Sequence, residues 1–186
     1  MSDGDLVDLL MKSESRCSAR EARLHVPDTP GFYVIFVDSA DALPPRFGKT
    51  LRDQETELIY LGIATKSLLT RLVEQDLRHR RSSTFFRSIG AVLGFKPPAA
   101  SLHGRNYKFS KTDTEAIITW IDEHLSVGWT CAIPASKKAE GQVIGLLRPL
   151  LNIIHNPTAS PELQALRGEC ISLAARTSVV CGPRLA

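Results

Sequence analysis

The residue in this sequence whose surroundings argue most directly for chemistry is an acid. Glu140 shares a helical face with Val143, Ile144 and Leu147, at spacings of three, four and seven residues. An acid on an apolar stripe must be desolvated, paired, or set at the rim of a cleft. Its place in a first helical turn offers one reason, the positive end of the helix dipole. A carboxylate that holds a hard divalent cation offers another. Arg71 lies off the apolar stripe of its own helix, so packing does not require it there. Tyr33 and Tyr60 fall on two neighbouring strands, where tyrosine also serves packing. Asn152 follows the helix end at Pro149, where an amide can tie down loose backbone carbonyls. A purely structural reading makes Glu140 and Arg71 ion-pair partners.

Net charge is only +3, which does not by itself mark a nucleic-acid binder; its distribution says more. From Lys66 to Arg87 six basic residues (Lys66, Arg71, Arg78, Arg80, Arg81, Arg87) stand against two acids, Glu74 and Asp76, an excess of four. Such a segment could follow a phosphate backbone, or it could be a solvated helix face.

The elements that must position these residues follow from the hydrophobic pattern. Residues 5–13 read as a short amphipathic helix. Gly31-Phe-Tyr-Val-Ile-Phe-Val37 and Glu57-Leu-Ile-Tyr-Leu-Gly62 read as strands that pair antiparallel, with residues 39–56, which contain Pro44-Pro45 and many charges, as a loop between them. Ser67 caps a helix carrying Leu68, Leu69, Leu72, Val73 and Leu77. A short helix lies within 81–94, and Asn106-Tyr-Lys-Phe109 reads as a brief edge strand. Thr112-Asp-Thr-Glu115 fits a capping box that opens a helix burying Ile117, Ile118, Ile121 and Leu125. Trp129, Cys131 and Ile133 alternate through a third strand at 128–134. Ser136 caps a helix to about Pro149, and Pro161 begins a last one. The expected fold is α+β: a small, mainly antiparallel three-stranded sheet flanked by helices, with an added C-terminal helix.

At 186 residues the chain suits one domain, with 43% hydrophobic and 23% charged residues, a globular and not a disordered composition. The expected organisation is an N-terminal helix and lead-in at 1–30, a central domain at 31–155, and a helix and tail at 156–186 packed on it. No apolar run approaches a membrane span, and the acidic start lacks the order of a secretory signal, so a cytoplasmic location is expected. Cys17, Cys131, Cys170 and Cys181 are too far apart for a structural zinc site and read as free thiols.

Gly31-Phe32-Tyr33, followed on the next strand by Tyr60-Leu61-Gly62, resembles the paired motif of the GIY-YIG nuclease superfamily. Tyr60 through Leu72 resembles that family's second strand and first helix, with Arg71 at its arginine. Glu140 through Asn152 resembles its glutamate helix, which ends in a Pro-x-x-Asn element. More loosely, Ser83–Gly90, Asn106–Phe109 and the last helix resemble a bacterial, restriction-endonuclease-like branch. There are departures: Ile63 stands where lysine is frequent, with Lys66 the nearest substitute. The Tyr60–Arg71 interval is one residue longer than in many members. Gln75 stands where some restriction-type members carry a histidine, with His79 a turn later.

The resemblance implies an endonuclease that hydrolyses DNA phosphodiester bonds with Mg²⁺, for which Mn²⁺ can substitute. Its implied catalytic residues are Tyr33, Tyr60, Arg71, Glu140 and Asn152. Glu140 would hold the metal, Arg71 clamp the scissile phosphate, Tyr33 orient or deprotonate water with help from Tyr60, and Asn152 support the site. Lys66, Arg78, Arg80, Arg81 and Arg87 would contact the backbone of double-stranded DNA; a homodimer is compatible with this reading, and no membrane partner is expected. The alternative is the same fold kept as a weak or inactive DNA-binding or interaction module.

Overall fold

The computed structural model describes residues 3–12, 16–104, 106–131 and 135–177. Its centre is an antiparallel sheet in the order β1-β6-β2-β3, built from β1 (Cys17–Ser18), β2 (Gly31–Val37), β3 (Leu58–Ala64) and β6 (Leu125–Thr130). The class is the expected α+β, with a fourth strand: β1 is a two-residue edge paired with Val127 and Ser126 of β6.

Every residue of β2 is buried, because both sheet faces are covered. Phe32, Val34 and Phe36 point into a smaller core under α1 (Asp3–Met11) and α6 (Lys137–Leu147), with Val143 and Ile144. Tyr33, Ile35 and Val37 point into the larger core on the other face. That core holds α3 (Pro45–Asp53), α4 (Thr84–Val92), α5 (Lys111–His124), α7 (Pro161–Ala175), the short α2 (Ala22–His25) and a π-helix at Leu69–Leu77. A small separate hairpin, β4 (Leu102–His103) with β5 (Asn106–Tyr107), lies beside α7.

Register decides which side chains share a face. Tyr33 opposes Gly62 and Ile35 opposes Tyr60, and a bulge then shifts Phe36 to Leu58. Both tyrosines therefore project from the same face, ring centroids 6.4 Å apart. Gly62 is required there, because a Cβ at that position would overlap the Tyr33 hydroxyl and ring.

Four local expectations are corrected. Residues 39–56 are not a loop throughout: Pro45 occupies the first turn of α3, where its missing N–H costs nothing, and Phe47 and Leu51 anchor the helix. The capping box falls two residues earlier than expected, with Ser110 Oγ accepting from the Asp113 N–H at 3.1 Å. The third main strand begins at Leu125, directly out of α5, and buries Leu125 and Val127; Ile133 lies outside the described residues. Asn106–Tyr107 pairs with Leu102–His103 and does not edge the main sheet. Cys17, Cys131 and Cys170 are free thiols, and Cys181 lies outside the described residues. Among the described residues no helix is long and apolar enough to cross a membrane.

Gly62→Ala should lower stability by roughly 1–3 kcal/mol, since the buried Tyr33 ring has nowhere to move. Urea unfolding monitored by tryptophan fluorescence measures it.

Candidate active site

The site is built around a carboxylate that sequence reading counted only as a charge. Asp76 is 0% exposed and accepts from three donors. The Tyr33 hydroxyl donates to Oδ2. Arg71 Nη1 donates to Oδ1 at 2.6 Å and Ser83 Oγ to the same oxygen at 2.7 Å. Ser83 also caps α4 by accepting from the Phe86 N–H, so the helix start and the carboxylate are tied together. Burial pushes the Asp76 carboxyl up, and Arg71, Tyr33 and Ser83 oppose that shift.

The π-helix explains how Arg71 and Asp76 meet. Five residues apart on an α-helix, they would point about 140° away from each other. Here the winding is wider: the Arg78 N–H donates to the Val73 carbonyl, a five-residue step, at 3.0 Å. Residues five apart then come round to the same side of the helix, and this rare winding recurs at functional sites. Arg71 is thereby brought from off the stripe to a side-chain exposure of 28%, one end of its guanidinium on Asp76 and the other toward solvent. Burial works against its charge, but the charge and hydrogen bond of Asp76 hold it protonated.

Glu140 is positioned from the other direction, along the free edge of β3. That edge is capped in sequence: the Leu151 N–H donates to the Ile59 carbonyl at 2.8 Å, and the Asn152 side chain closes a two-way bond with the Leu61 backbone, 2.9 Å each way. Glu140 takes the next position, with a backbone hydrogen bond from Ile63. Asn156 holds the returning loop by donating to the Pro149 and Asn152 carbonyls. Asn152 therefore acts as a short strand mimic that sets where α6 ends relative to β3.

Glu140 stands between two cavities. One, of about 480 Å³, is lined by Ile63, Lys66, Thr70, Arg71, Gln75 and Glu140 among others. The second, of about 600 Å³, lies across Glu140 and includes Tyr60, Asn152, His155 and Arg167. Arg71 and Glu140 thus share a cleft without pairing: the ion-pair partner of Arg71 is Asp76, and Glu140 makes no ion pair among the described residues. Burial raises the Glu140 carboxyl, while Arg71, His155, Lys137 and Ile63 pull it back. No cluster of three or more His, Cys, Asp or Glu side chains is present among the described residues. A half-buried, unpaired carboxylate opening on a cleft still fits Mg²⁺, which keeps several waters and needs only one or two protein carboxylates.

Tyr33 lies beneath the cleft and lines neither cavity, its hydroxyl committed to Asp76. Burial, then the charge of Asp76, push its phenol well above the usual range; burial likewise raises Tyr60. Both keep their protons at neutral pH.

The basic segment does not act as one face. Arg78 pairs with Asp122 at 2.8 Å and Arg80 with Glu74 at 2.6 Å, while Arg87 is buried. Lys66 lines the cleft with Arg71, and Arg81 is exposed without an ion pair among the described residues. Asp76 was the residue missed, and its signal was present: it follows Leu72 and Val73 by four and three positions, the same pattern that singled out Glu140.

The GIY-YIG catalytic domain profile matches residues 31–169, from the first residue of β2 into α7. No curated protein and no solved structure matches the chain.

Asp76→Ala should cost on the order of 3 kcal/mol, because it strands a guanidinium, a buried phenol and a buried hydroxyl together. Ser83→Ala, which removes one donor and a helix cap, should cost about 1–2 kcal/mol. Chemical denaturation of the two variants compares them.

Proposed function

The chain belongs to the GIY-YIG catalytic domain family, a nuclease-type domain, and from that premise we propose that it is a metal-dependent endonuclease that cuts double-stranded DNA in the cytoplasm. The observation that carries this reading is that Arg71 and Glu140 face one open cleft, each held by its own network and neither neutralising the other.

Hydrolysis of a phosphodiester needs an in-line water, charge neutralisation at phosphorus and a stabilised leaving oxygen. Glu140 would hold the divalent ion, and the chemistry supplied by that ion when bound is charge neutralisation and a more acidic water. Arg71 presents the free end of its fork to the scissile phosphate and stabilises charge as it develops. Because Asp76 holds the other end, the guanidinium needs little reorganisation during the reaction. Tyr33 is a positioning residue: it donates to Asp76 and fixes the anchor of Arg71. Tyr60, at the edge of the second cavity, orders water or substrate as an intact phenol. Asn152 sets the α6 end against β3 and so the distance of Glu140 from the cleft. Lys66 and Arg81 contact backbone phosphates on either side.

Plasmid cleavage in Mg²⁺ or Mn²⁺ tests the proposal. Glu140→Ala and Arg71→Ala should each lose roughly a hundredfold or more in rate. Undiminished activity in Glu140→Ala contradicts the assignment, and a mobility shift without cleavage in any divalent metal selects the binding-module alternative. Tyr33→Phe separates the two roles for that residue: removing one hydrogen bond to a carboxylate should slow cleavage ten- to a hundredfold, about 1.5–3 kcal/mol, whereas loss of the general base would abolish it.

A further inference from the structure

The larger of the two cavities beside Glu140 holds a cation with no role in the chemistry above. Arg167, from α7, lines that space of about 600 Å³ together with Tyr60, Thr84, Glu140, Asn152 and His155. The two acids nearest to it in sequence are drawn off elsewhere: Glu162 pairs with Arg46 at 3.0 Å and Glu169 with Lys96 at 2.6 Å. Among the described residues Arg167 has no ion pair, with Glu140 or any other acid, and one hydrogen bond, from Nη1 to the Ser88 hydroxyl at 3.3 Å.

That single bond ties the guanidinium to α4. Ser88 is buried on this helix, which starts from Ser83, whose hydroxyl donates to Asp76. One short helix therefore mounts both arginines, Arg71 through Asp76 and Ser83, and Arg167 through Ser88. The bond uses one nitrogen of the fork. Nε and Nη2 have no partner among the described residues and, unlike the buried Nε of Arg87, are not shut off from the surface. The Tyr60 hydroxyl is likewise accessible and without a hydrogen bond among the described residues. The charges of Arg167 and Glu140 both act on that phenol, so Tyr60 lies near each. Gly168 completes the wall. It stands inside the 15-residue α7, where glycine weakens a helix, and a Cβ there would meet nothing within 4 Å. Packing does not require the glycine; its missing side chain leaves the cavity open next to Arg167.

A guanidinium with two free donors selects an oxyanion that can accept both, and phosphate has that geometry. Tyr60 and Thr84 add hydroxyls, and Ile144, Leu151 and Ile171 form an apolar wall that would cover a sugar. The volume is in the range that encloses a small organic ligand. Glu140 lines both this cavity and the Arg71 cleft, so a strand lying across the acid brings one phosphate to Arg71 and a neighbouring one to Arg167. We propose that Arg167 is a substrate-binding residue that grips the phosphate next to the scissile one, and that its cavity receives the nucleotide carrying that phosphate. The DNA strand as the source rests on the endonuclease reading; a phosphate at Arg167 does not.

Binding of a short DNA duplex to the full chain, followed by fluorescence anisotropy without divalent metal over a range of salt, tests it. Arg167→Ala should weaken binding about tenfold and lower the salt slope of log K by about one. Arg167→Lys, which keeps the charge but not the fork, should keep the slope and recover part of the affinity. A merely structural role would not move the slope. Gly168→Leu fills the cavity and leaves Arg167 in place. It should melt no lower than the native chain, because leucine suits a helix interior better than glycine, and still bind DNA several-fold more weakly. Unchanged affinity in Gly168→Leu, or unchanged affinity and slope in Arg167→Ala, overturns the subsite. If Arg167→Ala binds DNA normally and has lost only a rise in Tm that inorganic phosphate gives the native chain, the site takes free phosphate and the backbone assignment is overturned. Cleavage that still requires Glu140 alongside such a failure leaves the endonuclease reading intact. The expected binding losses, in a protein whose native chain cuts with no divalent metal, keep the subsite and overturn that reading.

Discussion

The carboxylate of Asp76 accepts from a tyrosine on β2, an arginine one π-turn back and a serine at the start of α4, and so ties three separate elements together. Sheltered from water, it cannot exchange any of these donors for solvent, so each is held where it stands. The consequence at the surface is that one end of the Arg71 guanidinium is fixed while the other remains available. A clamp on an anion works best in this form, because a preorganised donor does not have to reorient as charge develops.

The second constraint is the open edge of β3. A sheet edge offers unpaired backbone groups, and here they are capped by Leu151, by the Asn152 amide and, at Ile63, by Glu140 itself. The capping that protects the edge from unwanted pairing also measures out where the acid falls. Arg71 and Glu140 reach the same cleft through two independent networks, one from the core outward and one along a strand edge.

Much of this was legible in the residues. The alternating β2 and β3 segments placed Tyr33 and Tyr60 on neighbouring strands, and helical spacing put Glu140 on the stripe with Val143 and Ile144, where it is half-buried. What was hidden had physical causes. A 3.6-residue period separates Arg71 from Asp76, and only the wider π winding reunites them. Asp76 lay on an apolar stripe as Glu140 does, but its apparent role as a counter-charge to a basic run concealed it. That basic run divides once partners from distant segments arrive: Asp122 takes Arg78, Glu74 takes Arg80, and Arg87 turns inward. Such pairings depend on tertiary contacts that no local window contains. The Pro44-Pro45 segment misleads for a similar reason, since proline both breaks helices and starts them.

The most direct test is diffraction from crystals soaked in Mn²⁺, with data collected to record the anomalous signal of manganese. The account predicts a peak within about 2.3 Å of a Glu140 carboxylate oxygen, on the side of the cleft that Arg71 faces. Manganese bound elsewhere, with the Glu140 carboxylate bare at saturating metal, would contradict it.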